Sequence, residues 1–293
     1  AQRLLERGAL LCRQRAGQVG HPALQRRHRD EFLRGAQCGP AQEPEDGYDT
    51  IEWLGAQPWS TGKVGMFGTS YLGWTQTAAA VLNPPSLATM VVNQAGANAY
   101  TSSVRQNGAM ELRFLAWAFM EAATHPEVVN DPVRKAALQS VSSLEWLQHL
   151  PLRPGLSPLA LVPSVERWAL DLYTNGDYTE YWDHPGLNFA KYWDEHADVP
   201  MLLCGAWYDS YTRATLENFA GLGERKRGPV RLLMGPWTHG MVDVSYAGDV
   251  ELGPTAPVAG NLGEEFLHLH LRWFDHWLKG IANGVGEEPA ARL

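Results

Sequence analysis

The stretch that most constrains this chain is Lys63-Val64-Gly65-Met66-Phe67-Gly68-Thr69-Ser70-Tyr71-Leu72-Gly73, followed by Trp74-Thr75-Gln76-Thr77-Ala78-Ala79-Ala80. A short apolar run, a glycine-bounded turn and a small-residue helix follow one another without a spacer. A serine at the tip of such a strand–turn–helix corner is a nucleophile elbow. The sharp turn lifts the hydroxyl clear of a sheet and aims helix N–H groups at the place where an oxyanion would form. Gly68, two residues before the serine, lets the strand and helix backbones approach without a Cβ clash. The pattern departs from G-x-S-x-G, because Leu72 stands where the second glycine is expected and the glycine follows as Gly73. The competing reading of Ser70 is a capping residue at an ordinary strand-to-helix turn.

Around that corner the chain alternates between helix and strand. Glu45 to Leu54 places Tyr48, Ile51 and Leu54 at helical spacing, with acids at the start where the macrodipole favours them. After the corner, Asn83-Pro84-Pro85 breaks the helix, and Leu87 to Asn93 reads as the next buried strand. This order implies a parallel sheet. From about Gly96 to Ala197 the alternation stops. Ala109 to Thr124, Pro132 to Leu150 and Pro163 to Tyr173 carry helical periodicity, which predicts a helical insertion over the sheet's C-terminal edge, where α/β proteins bind ligands. The Trp and Tyr residues of Tyr178 to Pro185 read as packing rather than as a stacking platform. The alternation resumes with a strand at Val199 to Gly205, a helix at Tyr211 to Leu222, a strand at Val230 to Gly235 and an amphipathic helix at Gly263 to Lys279.

Two of these later strands run out into a titratable residue, in Gly205-Ala206-Trp207-Tyr208-Asp209 and Gly235-Pro236-Trp237-Thr238-His239. Taken singly, Asp209 reads equally as a helix cap and His239 as a loop histidine. With Ser70 past an earlier strand, the chain order is Ser, Asp, His, the order of α/β-hydrolase triads. The long first gap is what a cap inserted between two strands would produce. Cys204 reads as a buried strand residue rather than a rival nucleophile. His268, His270 and His276 lie along the last helix, where an i, i+2 pair shares no face, so no metal site is expected.

The 293 residues allow one large domain or two small ones. A net charge of −8 argues against a nucleic-acid or anionic-membrane partner, and no apolar run approaches the ~18 residues of a membrane span. Three cysteines, without metal-type spacing, define neither a disulfide framework nor a zinc site. Residues 1–42 do not resemble the rest. Arg3, Arg7, Arg13, Arg15, Arg26, Arg27, Arg29 and Arg34 face only Glu6, Asp30 and Glu31 over residues 1–39, a local charge of +5 against −13 for the remainder. Every Trp, Tyr, Lys and Ile lies beyond residue 39, and no strand is expected before it.

Gly68 to Gly73 (G-T-S-Y-L-G), Gly205 to Asp209 (G-A-W-Y-D) and Gly235 to His239 (G-P-W-T-H) together resemble the cocaine esterase/X-prolyl dipeptidyl-peptidase group of serine hydrolases, the CocE/NonD type. That group includes α-amino acid ester hydrolases and glutaryl acylases. The run from Glu45 to Gly68 and the phrase Tyr181-Trp182-Asp183-His184-Pro185 carry the same resemblance, which covers about residue 43 to the C-terminus. It implies an α/β-hydrolase fold, a parallel-rich sheet with helices on both faces: core segments 43–96 and 198–293, a helical cap at 97–197, and an atypical segment at 1–42. It further implies Ser70 as nucleophile, His239 as general base and then acid, Asp209 as the residue that orients the imidazole, and the Tyr71 N–H as one oxyanion donor. In this group the elbow reads S-Y-x-G, which accommodates Leu72.

The expected reaction is cleavage of a small-molecule ester or amide through an acyl-enzyme, with no metal or organic cofactor. X-prolyl dipeptidyl peptidase or β-lactam acylase activity is the alternative within enzymes. A catalytically inactive remnant or a binding module on a hydrolase fold is the alternative outside them. The resemblance also implies upstream strands, a second oxyanion donor from an early tyrosine and a C-terminal jelly-roll domain, all of which are expected to be missing from this chain. Residues 9–42 have the length but not the chemistry of the corresponding family segment, as a shifted reading frame would produce. A cytoplasmic location is expected, and oligomeric state is left open.

Overall fold

The computed structural model describes residues 43–128 and 130–293; the atypical segment 1–42 lies outside the described residues. In chain order, α1 (Glu43–Gly55) leads into β1 (Val64–Thr69), α2 (Tyr71–Val81) and β2 (Leu87–Asn93). A small hairpin, β3 (Arg105–Gln106) and β4 (Ala109–Met110), precedes the helices α3 (Arg113–Thr124), α4 (Pro132–Gln139), α5 (Ser143–Trp146) and α6 (Pro163–Thr174). The alternation returns with β5 (Met201–Ala206), α7 (Thr212–Arg225) and β6 (Val230–Gly235). The hairpin β7 (Tyr246–Ala247) and β8 (Val250–Glu251) then leads to α8 (Val258–Leu262), α9 (Phe266–Lys279) and β9 (Ala291–Arg292).

The described residues fall into two compact units: Leu112–Asp171, and the sheet-bearing unit on either side of it in sequence. The interval 97–197 is therefore divided, because 97–111 and 172–197 belong with the sheet. Within the helical unit, α3 buries Phe114, Leu115, Ala118, Phe119, Ala122 and Ala123, and Trp117 meets Trp168 edge-on at 4.9 Å. Asp131 caps α4 by accepting from the Val133 and Arg134 N–H groups, with Pro132 at the first helical position.

The sheet has the order β1-β2-β5-β6-β9, every neighbouring pair parallel. Period-two alternation divides its side chains between two cores. Met90 and Val92 of β2, Met201 and Leu203 of β5, and Leu232 and Met234 of β6 pack with Ile51 of α1, Ala79 and Ala80 of α2 and Leu222 of α7. Val91, Leu202, Cys204 and Leu233 point the other way, against Leu269 and Trp273 of α9. Helices thus cover both faces. Each fully buried Leu or Met side chain contributes roughly 1.5–3 kcal/mol relative to exposure, and this two-sided burial holds the C-terminal strand ends at one edge.

Several boundaries differ from the sequence-based expectation, among them the helix expected over Tyr211–Leu222, which runs Thr212–Arg225, and the strand expected over Val199–Gly205, which is Met201–Ala206; three further differences have a local cause. The helix expected from Ala109 starts at Arg113, because Asn107 (φ 50°) and Gly108 (φ 92°) form the two-residue turn of the β3–β4 hairpin; an Asn-Gly pair supplies the left-handed backbone such a turn needs. The helical stretch expected over Pro132–Leu150 divides after Gln139, and α5 restarts on the Ser142 hydroxyl, which accepts from the Glu145 N–H. The last long helix starts at Phe266, because Gly263 in the left-handed region terminates α8 first.

Candidate active site

Ser70 follows β1 directly and opens α2. Its backbone is held at φ 65°, ψ −125°, and its side chain makes no capping hydrogen bond, so the capping reading does not describe it. A non-glycine residue in such a conformation costs on the order of 1–3 kcal/mol, and the surrounding contacts enforce it. The Ser70 N–H donates to the Asn93 carbonyl at 3.0 Å, and the Ser70 carbonyl accepts from the Gly73 and Trp74 N–H groups, both at 2.9 Å. The two glycines mark where backbones meet. A Cβ on Gly68 would lie 2.5 Å from the Leu72 Cβ and 2.9 Å from its carbonyl; one on Gly73 would lie 2.8 Å from the Ala95 Cβ and 3.0 Å from the Asn93 carbonyl. Leu72, in contrast, is 58% exposed. The position that packs against β2 is the third after the serine, which explains why the glycine stands there.

Asp209 and His239 come together at the same edge. The two oxygens of Asp209 lie 3.1 and 3.0 Å from His239 Nδ1, and the carboxylate side chain is only 1% exposed against 37% for the imidazole. With a carboxylate as acceptor, Nδ1 carries the proton, leaving Nε2 as the nitrogen able to take one. Asp209 Oδ1 also accepts from the Tyr211 N–H at 3.3 Å and the Ser210 hydroxyl at 3.4 Å, so the loop that presents it is closed around its own carboxylate. The two loops are tied to each other: the Trp207 N–H donates to Gly235 and the Tyr208 N–H to Trp237, at 2.9 and 3.0 Å. Gln106 of β3 donates to the Ser210 carbonyl at 3.1 Å. The Ser70 hydroxyl hydrogen-bonds to none of the described residues, His239 included.

Tyr71 is the first residue of α2, and its phenol donates to Glu43 at 2.5 Å. Burial pushes the Glu43 carboxyl above its ordinary range, against the opposing pull of that hydrogen bond. Cys204 is buried mid-strand with its thiol pushed up by burial, far from thiolate character. Among the described residues no group of three or more His, Cys, Asp or Glu side chains could hold a metal ion, and no helix is long and apolar enough to cross a membrane.

Behind the elbow lies a network that the sequence reading missed. Asn93 Nδ2 donates to Thr69 Oγ1 at 3.4 Å and to His270 Nε2 at 3.1 Å, while His270 Nδ1 donates to the Phe266 carbonyl at 2.7 Å. Burial holds His270 below the usual imidazole range, as a neutral ring with one donor and one acceptor requires. A histidine on a buried helix face gave no sequence signal of this partner, 177 residues away.

Residues 35–241 match the X-Pro dipeptidyl-peptidase (S15) family. The chain is 28% identical over 264 residues to cocaine esterase of Rhodococcus sp. (strain MB1 Bresler), covering 85% of this chain and 43% of that protein. Among solved structures, an aminopeptidase from a marine sediment archaeon, Thaumarchaeota archaeon, superposes with a TM-score of 0.60 at 22% identity, over 85% of this chain and 40% of that one. An α-amino acid ester hydrolase superposes with a TM-score of 0.55 at 20% identity, again over 85% and 40%. The chain thus spans less than half the length of these relatives. The parallel sheet with helices on both faces is an α/β-hydrolase fold. With the match extending over more than half of its length, the chain belongs to the X-Pro dipeptidyl-peptidase (S15) family.

Proposed function

We propose that this chain carries the acyl-transfer centre of a serine hydrolase that cleaves small-molecule esters or amides. The observation that carries the reading is the Asp209–His239 pair, bonded at 3.0 and 3.1 Å, at the same sheet edge as a serine in an elbow conformation whose side chain makes no capping hydrogen bond. Ser70 Oγ attacks the carbonyl carbon as His239 Nε2 takes its proton, and the C=O electron pair moves onto oxygen. Collapse expels the alcohol or amine, which takes the proton back from His239, and leaves an ester on Ser70. Water, deprotonated by the same imidazole, then releases the acid and restores the hydroxyl. Asp209 keeps the proton on Nδ1 and stabilises the transient imidazolium. The Tyr71 N–H, at the residue after the nucleophile, is one oxyanion donor.

Trp207, Tyr208 and Met241 are substantially exposed beside Asp209 and His239, which favours a substrate with an apolar or aromatic group. The 28% identity to cocaine esterase favours the ester reading. The family match supports a second one, release of an X-Pro dipeptide. A fluorophosphonate probe with mass-spectrometric mapping tests the mechanism. An adduct on Ser70 that disappears in Ser70→Ala is expected, and an unlabelled parent chain would refute it in favour of an inactive or binding role. Aryl esters against Gly-Pro anilide then separate the two substrate readings.

A further inference from the structure

β2 ends at Asn93, and the next residue, Gln94, turns into the left-handed region (φ 46°). It is 2% exposed. Its N–H donates to the Cys204 carbonyl at 2.7 Å, tying it to β5. Both ends of its side-chain amide reach the histidine loop: Nε2 donates to the Thr238 carbonyl at 3.1 Å, and Oε1 accepts from the Gly240 N–H at 2.5 Å. Those are the two residues that flank His239. The loop there is a tight turn, closed by the Met241 N–H on the Thr238 carbonyl at 3.2 Å, with Gly240 at φ 73°. His239 therefore sits between two backbone groups that one buried amide grips from opposite ends.

The preceding residue serves the other arm, because the Asn93 carbonyl accepts the Ser70 N–H at 3.0 Å. A single peptide link at the end of β2 thus references both the serine corner and the histidine turn. We propose that Gln94 is a positioning residue for His239, setting the place of the imidazole relative to Ser70 and Asp209. This rests on the reading of those three residues as the catalytic set. A primary amide is the group this position requires, since it must donate to a carbonyl and accept from an N–H simultaneously. A methionine fills the same space with neither function. A glutamate accepts from Gly240 but sets a carboxylate oxygen against the Thr238 carbonyl until it is protonated.

The test compares parent, Ser70→Ala, Gln94→Met and Gln94→Glu as full-length chains, by fluorophosphonate labelling rate, ester kinetics, thermal melting and hydrogen exchange of residues 238–241. Displacing a catalytic group by about 1 Å can reduce rate on the order of 10²-fold. We expect Gln94→Met to lose ~10- to 100-fold in kcat with KM nearly unchanged, to melt cooperatively, and to exchange the Gly240 amide faster than the parent. The kcat of Gln94→Glu relative to parent rises as pH falls, as its carboxyl regains a proton to donate, whereas the same ratio for Gln94→Met stays flat. If Gln94→Met folds and keeps kcat within twofold of parent, or if its loss is matched by KM with flat pH ratios in both variants, the positioning role is wrong while the triad stands. If the parent is unlabelled, or Ser70→Ala labels as the parent does, the triad reading itself fails and takes the positioning role with it.

Discussion

Replacing Asp209 with Asn isolates the electrostatic part of the site. The carboxylate is 1% exposed and meets His239 Nδ1 with both oxygens, so it holds the tautomer with Nε2 bare. An amide of the same shape offers an NH₂ to Nδ1. The ring then places its proton on Nε2, facing away from the carboxamide, and it cannot accept from Ser70. The substitution leaves the loop itself supported, because the remaining Oδ1 still accepts from the Tyr211 N–H and the Ser210 hydroxyl. A wrong-tautomer change of this kind lowers kcat by roughly 10⁴ in a Ser-His-Asp enzyme, equivalent to about 5 kcal/mol at 1.36 kcal/mol per decade. The assay is initial-rate hydrolysis of an aryl ester, with the fluorophosphonate labelling rate as an independent readout and a thermal melt as the folding control. A folded Asp209→Asn chain with kcat within tenfold of parent would refute the orienting role of Asp209, and with it the assignment of His239 as base.

Gly73→Ala places a Cβ 2.8 Å from Ala95 Cβ and 3.0 Å from the Asn93 carbonyl; overpacking of this kind destabilises by about 1–3 kcal/mol, read as a lowered melting temperature together with slower labelling of Ser70, whereas unchanged melting would show that the corner can relax. His196 is fully buried, and burial lowers its pKa to about 4. The unfolded chain binds this proton below about pH 6.5 and the folded chain does not, so stability is complete above that pH and falls between 6.5 and 4, by on the order of 3 kcal/mol. Urea unfolding at pH 7 and pH 5 should show a smaller loss in His196→Gln than in the parent. Trp207→Ala removes an exposed indole beside Asp209; it should raise KM for a phenyl-acyl ester several-fold and leave an acetyl ester nearly unaffected, and equal effects on both would remove Trp207 from the substrate surface.

What the sequence alone determined is what neighbouring residues encode. The Val64–Thr69 strand, the Ser70 corner and the small-residue helix were legible because each depends on local spacing, and β2 and β6 stand at the expected residues because a fully buried strand is a continuous apolar run. The meeting of Asp209 and His239 was likewise readable, since strand ends of a parallel sheet share one edge. The Asn107-Gly108 turn is equally local, but the helical periodicity that begins at Ala109 overlaps the hairpin it closes. Only the tertiary structure decided which groups meet across the chain. Gln94 reaches residues 144 and 146 positions away, and Asn93, at the end of β2, meets His270 of α9. A buried amide has no period and no local motif, and its partner is chosen by the packing of the sheet and loops around it. For the same reason the place of the second glycine at residue 73 made physical sense only once β2 was seen to pack against that position rather than against Leu72.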